Sequence, residues 1–337
     1  MDTVLLTGAS GFLGVHTLKQ LLDDGHHVRA LVRTPARLEA NLLPLGIELE
    51  DSRIEVAEGD MTSTSAVRTA ASGCAAVIHA AATFSYKRRD QARMARENSV
   101  GTRTVLESGA DAGATRLVHV SSTVALVRPG GGTIDHTSPL GIGQGPYSKS
   151  KITSEAVARE LQDSGAPVTI VNPGGILGPH DPYLGENNEV LIQALKGQTP
   201  AWPRGSVQYV DVRDVAAVLA AAVSHDAGRR FLVPGHDVHE LHPVLREVTG
   251  RRLPAATMPP KMLIAAAMPG YLTGWSFLPG AVEGIRTAAC ANETDASATT
   301  RELGVKARPL TESVRDTVRW LVEAGHIKPK HAGRALD

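Results

Sequence analysis

The sequence predicts a mixed α/β protein built on a doubly wound parallel sheet, and three observations carry that expectation. Short apolar runs of strand length recur at 4–6, 28–32, 54–57, 77–80, 117–120 and 168–171, each β-branched or bounded by Gly, Asp or Pro. Stretches of helical period separate them, and near-continuous apolar strands alternating with helices mean a sheet covered on both faces. The composition, 337 residues with 42% hydrophobic and 21% charged, supplies a globular core and allows one large domain or two intimate ones. In such a sheet the ligand crevice lies beyond the C-terminal ends of the strands.

The first run leads into Thr7-Gly8-Ala9-Ser10-Gly11-Phe12-Leu13-Gly14. Three glycines at three-residue spacing then open a helix carrying Val15, Leu18, Leu21 and Leu22 before Gly25. Glycine lets the backbone turn tightly and approach a ligand, and a helix N-terminus offers free N–H groups and a positive dipole. The arrangement suits a dinucleotide pyrophosphate, with Gly8, Ser10, Gly11, Phe12 and Leu13 as its contacts. The spacing is G-x-x-G-x-x-G, not the G-x-G-x-x-G of the general fingerprint. The second run ends in Arg33-Thr34-Pro35-Ala36-Arg37. An acid there would bind a ribose 2′-hydroxyl and repel a 2′-phosphate, whereas Arg33 and Arg37 can hold the phosphate, so NADP(H) is expected over NAD(H). The third run ends at Gly59-Asp60-Met61, where Asp60 is placed to accept from the adenine amino group and Met61 to pack on the ring. The fourth ends in Ala80-Ala81-Ala82, small enough for a cofactor to lie against the backbone. Ordinary turn and core packing reads equally well at these last two strand ends.

The fifth run, 117–120, ends in Ser121-Ser122-Thr123, and about 25 residues later comes Tyr147-Ser148-Lys149-Ser150-Lys151. On a helix Tyr147 and Lys151 share one face. A free phenol titrates near 10, and bringing it to neutral pH requires about 4 kcal/mol, which a close ammonium and a nicotinamide cation would supply. Ser122 is expected to hydrogen-bond a reacting carbonyl oxygen while Tyr147 transfers the proton. No G-x-S-x-G supports a nucleophilic serine, and the 13 histidines show no metal spacing.

Beyond 178 the pattern loosens. The expected division is a dinucleotide-binding domain at 1–177, with 207–233 returning to it. A substrate-covering lobe is expected at 178–206 and 234–330, and a frayed tail at 331–337. A strand is expected at 207–212, and helices at 214–224 and 311–324. Thr83, Phe84, Thr123 and Tyr183 are candidate substrate contacts, with Trp202 and Trp275 further lining candidates. The apolar segment 262–282 is broken by Pro269, Gly270, Gly274, Pro279 and Gly280, so it reads as a pocket lid or membrane-surface patch rather than a span. Lys plus Arg and Asp plus Glu are both 35, leaving no basic footprint for nucleic acid. Two distant cysteines, Cys74 and Cys290, exclude a disulfide framework and a multi-cysteine metal site and fit a reducing cytoplasm.

Taken in order, Thr7–Gly14, Asp60, His79 to Ala82, Asn98-Ser99-Val100-Gly101-Thr102, Ser122, Tyr147 with Lys151, Pro173-Gly174-Gly175-Ile176-Leu177-Gly178-Pro179 and Tyr209-Val210-Asp211-Val212-Arg213-Asp214-Val215-Ala216 resemble the extended short-chain dehydrogenase/reductases. The resemblance covers about 1–225. It implies a Rossmann sheet, Tyr147 as proton donor or acceptor, and Lys151 as its pKa-lowering partner and ribose binder. It further implies Ser122 as carbonyl orienter, Asn98 as a helix residue shaping the site, and Pro173 to Ile176 as the lining of the nicotinamide. Pairing into a homodimer through helices near 91–110 and 147–161 is also implied.

Within that family the Leu-Val-Arg end of the second strand and Ser121-Ser122 before Thr123 most resemble the dihydroflavonol-reductase-like branch. Hydride transfer between NADP(H) and a mostly apolar carbonyl or alcohol is therefore the expected reaction. Nucleotide-sugar epimerases and dehydratases are the main rival. They commonly place an acid at the second strand and an arginine where this chain has Val207, and the dehydratases an Asp–Glu pair where it has Val124-Ala125. A 3-beta-hydroxysteroid-like or other sterol dehydrogenase is a third reading, drawn from the 262–282 segment. A non-catalytic NADP(H)-binding protein stands last, because Ser122, Tyr147 and Lys151 are all in place.

Overall fold

A computed structural model of the chain describes residues 2–84, 90–199, 201–254, 256–273 and 281–337. The expected strands all form: β1 (Thr3–Thr7), β2 (His27–Val32), β3 (Ile54–Glu58), β4 (Ala76–His79) and β5 (Arg116–Val120). Between them lie α1 (Phe12–Asp23), α2 (Pro35–Leu42), α3 (Thr64–Ala71) and α4 (Gln91–Asp111). There follow β6 (Gly132–Ile134), α5 (Pro146–Asp163), β7 (Val168–Asn172), β8 (Gly175–Leu177), α6 (Glu186–Leu195), β9 (Ala201–Pro203), β10 (Gln208–Asp211), α7 (Val212–Ser224) and β11 (Arg230–Leu232). The central sheet runs β3-β2-β1-β4-β5-β7-β11. Its pairings are parallel throughout, for example Val4 opposite Val28 on one side of β1 and Ala76 on the other.

Alternation along β1 shows why Val4, Leu5 and Leu6 had to be apolar. Val4 and Leu6 pack into one core with Val15, Leu18 and Leu21 of α1 and Val215, Val218 and Leu219 of α7. Leu5 points the other way, into a core with Val67 of α3, Val105 and Leu106 of α4 and Ala158 of α5. Each fully buried leucine contributes roughly 1.5–3 kcal/mol against exposure. The order of connection reverses between β1 and β4, and this switch point opens the ligand crevice at their C-terminal ends.

The remaining chain forms β12 (His236–Asp237), α8 (Val238–Thr249), β13 (Ala256–Met258), α9 (Pro260–Thr273), α10 (Ala281–Ala289), β14 (Asn292–Thr294), α11 (Ser297–Leu303), α12 (Leu310–Glu323) and α13 (Pro329–Ala332). A separate core gathers Leu191 and Leu195 of α6, Leu241 and Leu245 of α8, and Val314, Val318 and Leu321 of α12. Two expectations need correction. The strand expected at 207–212 does not rejoin the central sheet: β10 pairs with β8 and β12, while α7 and β11 make the return. Nor does the terminus fray. Residues 329–336 are helical, Ala332 and Ala335 are wholly buried, and Arg319 donates to the carbonyls of Ala335 at 2.7 Å and Asp337 at 2.6 Å. Small residues at this end let the backbone seat closely against α8 and α12. Of the 262–282 segment, residues 274–280 lie outside the described residues, Trp275 among them. Among the described residues no helix is long and apolar enough to cross a membrane.

Candidate active site

The glycine loop is built by contacts no larger residue tolerates. Gly8 has φ +75, and a Cβ there would stand 2.7 Å from the Ala81 nitrogen, so β1 and β4 meet edge to edge at their ends. A Cβ on Gly14 would overlap the Gly8 carbonyl, so α1 starts hard against the strand. Gly11 is the N-cap of α1 with no side-chain cap and no acid in the first turn, which leaves the N–H groups of this end for an anion. The Thr7 hydroxyl accepts from the Ala81 N–H at 3.3 Å and shares a 2.9 Å hydrogen bond with His79 Nδ1. Asn41 Nδ2 donates to the Ser10 carbonyl at 2.8 Å, and the Tyr183 hydroxyl reaches the same oxygen at 3.3 Å. Tyr183 thus braces the glycine loop from outside and does not line the cavity where a substrate contact was expected.

Beyond β2, Arg33 is 75% exposed and its guanidinium stands 3.9 Å from Asp60. Arg37 is exposed in the first turn of α2. Asp60 accepts from the Thr62 N–H at 2.9 Å and hydroxyl at 2.6 Å, and these bonds hold its carboxyl below the usual range. Met61 lies over Gly101 of α4, where a Cβ would come 2.9 Å from its sulfur. Arg33 and Asp60 meet beyond the strand ends, and the uncapped N-terminus of α1 at Gly11 offers backbone N–H groups to a phosphate. The residues fit a dinucleotide.

At the end of β5 the backbone turns out of the sheet at Ser121 and Ser122. The Ser122 hydroxyl donates to the Pro173 carbonyl at 3.3 Å and lines the same cavity as the Tyr147 phenol. Tyr147 and Lys151 lie one turn apart on α5. Lys151 is buried, and its ammonium donates to the Val120 carbonyl at 3.2 Å. Burial pulls its pKa down to about 8, against the opposing charge of Glu155. Burial likewise pushes Tyr147 up to about 12; the neighbouring Ser122 hydroxyl opposes this, and the charges of Glu283 and Glu186 add to it. The chain's own groups therefore hold the phenol protonated.

Ser122, Tyr147 and Lys151 share one cavity of about 400 Å³ with Phe12, Leu13, Ala80, Thr123, Pro173 and Ile176. Val124, Val127, Ile134 and Val207 give it apolar lining, and Asp181, Glu186, Asn187, Gln208, Glu283 and Asn292 are among its polar residues. The Phe84 ring meets Tyr147 edge-on with centroids 5.0 Å apart. Thr83 is held elsewhere: its N–H donates to Asn98 Oδ1 and its hydroxyl to Glu97, both at 2.7 Å. Asn98 also donates to the Ser150 hydroxyl at 2.9 Å, so it ties the Thr83 loop to α5. Trp202 is buried in the C-terminal core against His242 and does not reach the cavity.

Two carboxylates escaped the sequence reading. Glu155, fully buried, accepts from Ser121 Oγ at 2.5 Å, Asn172 Nδ2 at 2.6 Å and Arg159 Nε at 2.9 Å. It stands four residues after Lys151, a spacing that signals the shared helix face. Glu283 accepts from the N–H groups of Tyr147 and Ser148 at 3.3 and 2.7 Å from 136 and 135 residues away, a separation that leaves no local signal. Among the described residues no His, Cys, Asp and Glu group is arranged to hold a metal.

Comparison with known proteins bears on this geometry. Residues 4–233 match the model of the NAD dependent epimerase/dehydratase family. The chain is 30% identical to a putative dihydroflavonol 4-reductase of Synechocystis, over 97% of this chain and 96% of that one. It is also 30% identical to sterol demethylase protein B of Methylococcus capsulatus, over 96% and 100%. In fold it is similar to the dTDP-glucose 4,6-dehydratase DesIV of Streptomyces venezuelae, at a TM-score of 0.73, with 23% identity and coverage of 97% and 99%. A glycine cradle at the switch point, a Ser–Tyr–Lys cavity beside it and a family match over most of the chain lead to one conclusion: the protein belongs to the NAD-dependent epimerase/dehydratase family and is an NAD(P)-dependent oxidoreductase.

Proposed function

We propose that the protein transfers hydride between NADP(H) and a mostly apolar carbonyl or alcohol, with Tyr147 as the acid and base. The observation that carries this is that the Ser122 and Tyr147 hydroxyls line one cavity with Lys151 and with the aliphatic Val124, Val127, Ile134 and Val207. A carbonyl oxygen received between these two hydroxyls would accept from both, and its developing negative charge would be stabilised as the C–H bond forms. Tyr147, held protonated by its surroundings, gives its proton to that oxygen, and Lys151 one turn away steadies the phenolate left behind. The bound nicotinamide supplies the hydride. Gly8, Ser10, Gly11, Phe12 and Leu13 would hold the pyrophosphate, Arg33 and Arg37 the 2′-phosphate, Asp60 and Met61 the adenine, and Ala80 to Ala82, Pro173 and Ile176 the ring end.

The valine, leucine and isoleucine wall favours this over a nucleotide sugar, whose diphosphate needs cationic partners; Lys151 is the one basic side chain among the described lining residues. The full-length similarity to a sterol demethylase protein keeps a sterol alcohol among the substrates to try. The test is NADPH consumption against aromatic aldehydes, ketones and sterols, with a sugar-nucleotide control. Consumption with a carbonyl compound is expected, and interconversion of the sugar nucleotide without net oxidation would overturn the reading. Tyr147→Phe should lower turnover by at least about 10³-fold while NADPH still quenches intrinsic fluorescence; an active variant would refute the role.

A further inference from the structure

α5 lacks the usual means of finishing its own N-terminus. Its N-cap is Gly145, which has no side-chain oxygen, and Pro146 follows at the first helical position. The next two N–H groups, of Tyr147 and Ser148, point at the Glu283 carboxylate of α10, which accepts at 3.3 and 2.7 Å. Ser148 completes the cap from within: its hydroxyl accepts from the N–H groups of Gln144 and Gly145 at 2.8 and 2.9 Å. Gly145 is shaped to the intruding acid, since a Cβ there would overlap the carboxylate and stand 2.8 Å from Glu283 Cγ. Its φ of −171 is extended backbone that any residue adopts, so the need for glycine is one of space alone. Glu283, Gly284 and Thr287 also line the reaction cavity, so the same turn of α10 faces substrate and grips the helix that carries Tyr147.

We infer that Glu283 is a positioning residue: it caps the catalytic helix from the C-terminal lobe and thereby sets where Tyr147 stands against Ser122. The inference rests on the acid–base role proposed for Tyr147. A cap supplied by the lobe makes correct seating of that lobe a condition for correct placement of the phenol. It also brings a negative charge to the phenol's own residue. The groups facing Tyr147 are Ser122 from the end of β5, Glu186 from α6, Glu283 from α10, Lys151 along α5, and the Phe84 ring.

The test compares Glu283→Gln, Glu283→Ala and Gly145→Ala, with Tyr147→Phe alongside, in full-length protein assayed with NADP(H) and the best substrate from the carbonyl screen. Glu283→Ala and Gly145→Ala should each lower kcat about tenfold, the rate equivalent of a lost cap, with NADPH affinity changed less than about twofold. The double variant should be no worse than either single one, because each removes the same contact. Glu283→Gln keeps an acceptor and removes the charge. In alcohol oxidation, where the phenolate is the base, its acid limb should move to lower pH by about half a unit or more. Wild-type kcat and pH profiles in all three variants, or lowered melting temperatures with unchanged profiles, would overturn the inference while an inactive Tyr147→Phe left the reaction assignment standing. An active Tyr147→Phe would instead remove the reaction assignment itself. Should Glu283→Ala fail to fold, the glutamine and Gly145→Ala variants decide, because the latter displaces only the far end of one side chain.

Discussion

Under the proposed NADP(H) preference, Arg33 would set cofactor choice without being buried. It stands three-quarters exposed at the end of β2, held only by a long ion pair to Asp60 that water screens. A 2′-phosphate offers a doubly charged, bidentate partner in its place. Arg33→Asp should therefore reverse the ratio of kcat/KM for NADPH and NADH, by about a hundredfold overall if two charge-assisted bonds are exchanged for a repulsion. An unchanged ratio would show that the phosphate is held elsewhere. The residue was legible from its position after an apolar run, and so were Ser122, Tyr147 and Lys151. Tyr183 and Trp202 were not assignable in the same way. An aromatic ring serves a cavity, a loop brace or a core equally well, and here one braces Ser10 while the other fills the C-terminal core.

At the scale of elements, β5, β7 and α5 are locked by Glu155. Its carboxylate takes Ser121 from β5's end and Asn172 from β7, and Asn172 in turn donates to the Ser122 carbonyl at 3.2 Å. Arg159, 14% exposed, neutralises it one turn on. Breaking a buried pair by removing one partner strands the other charge, so Glu155→Ala should lower unfolding free energy by about 3–5 kcal/mol. Urea denaturation measures this, and a loss under about 1 kcal/mol would show that solvent reaches Arg159. The central strands could be read from sequence because burial on two faces gives each a short, largely apolar run. Of the small sheet, β10 was expected as a strand at 207–212, but its pairing with β8 and β12 was not: strands of two and three residues carry no periodicity, and glycine at 174 and 175 masks the close approach that pairs them. The helical terminus escaped for a related reason, since Ala332 and Ala335 bury little area and leave no hydrophobic stripe.

For the whole molecule, the histidines matter through where the fold puts them. Scattered in sequence, His16, His79 and His119 are all at most 5% exposed, and His79 stacks on His119 with centroids 5.6 Å apart. Burial lowers His16 to about 4 and His79 to about 3, and His119 well below its usual value, with the Lys151 charge adding to the effect at the last two. An imidazole with a depressed folded pKa stays neutral in the native state while the unfolded chain binds a proton. Its contribution is intact above about 6.5 and is lost as pH falls toward the folded value. At pH 5 His16 and His79 should each cost about 2 kcal/mol relative to neutral pH, and His119 adds to them. Stability from urea unfolding should therefore fall steeply between pH 6.5 and 5. Neither ring nitrogen of His119 has a hydrogen-bond partner among the described residues, so replacing it removes a proton site and no bond. His119→Phe should flatten the acid slope by up to about 1.4 kcal/mol per pH unit, one proton's worth. An unchanged slope would mean that His119 takes up its proton inside the fold, and the neutral stack beneath Lys151 would have to be abandoned.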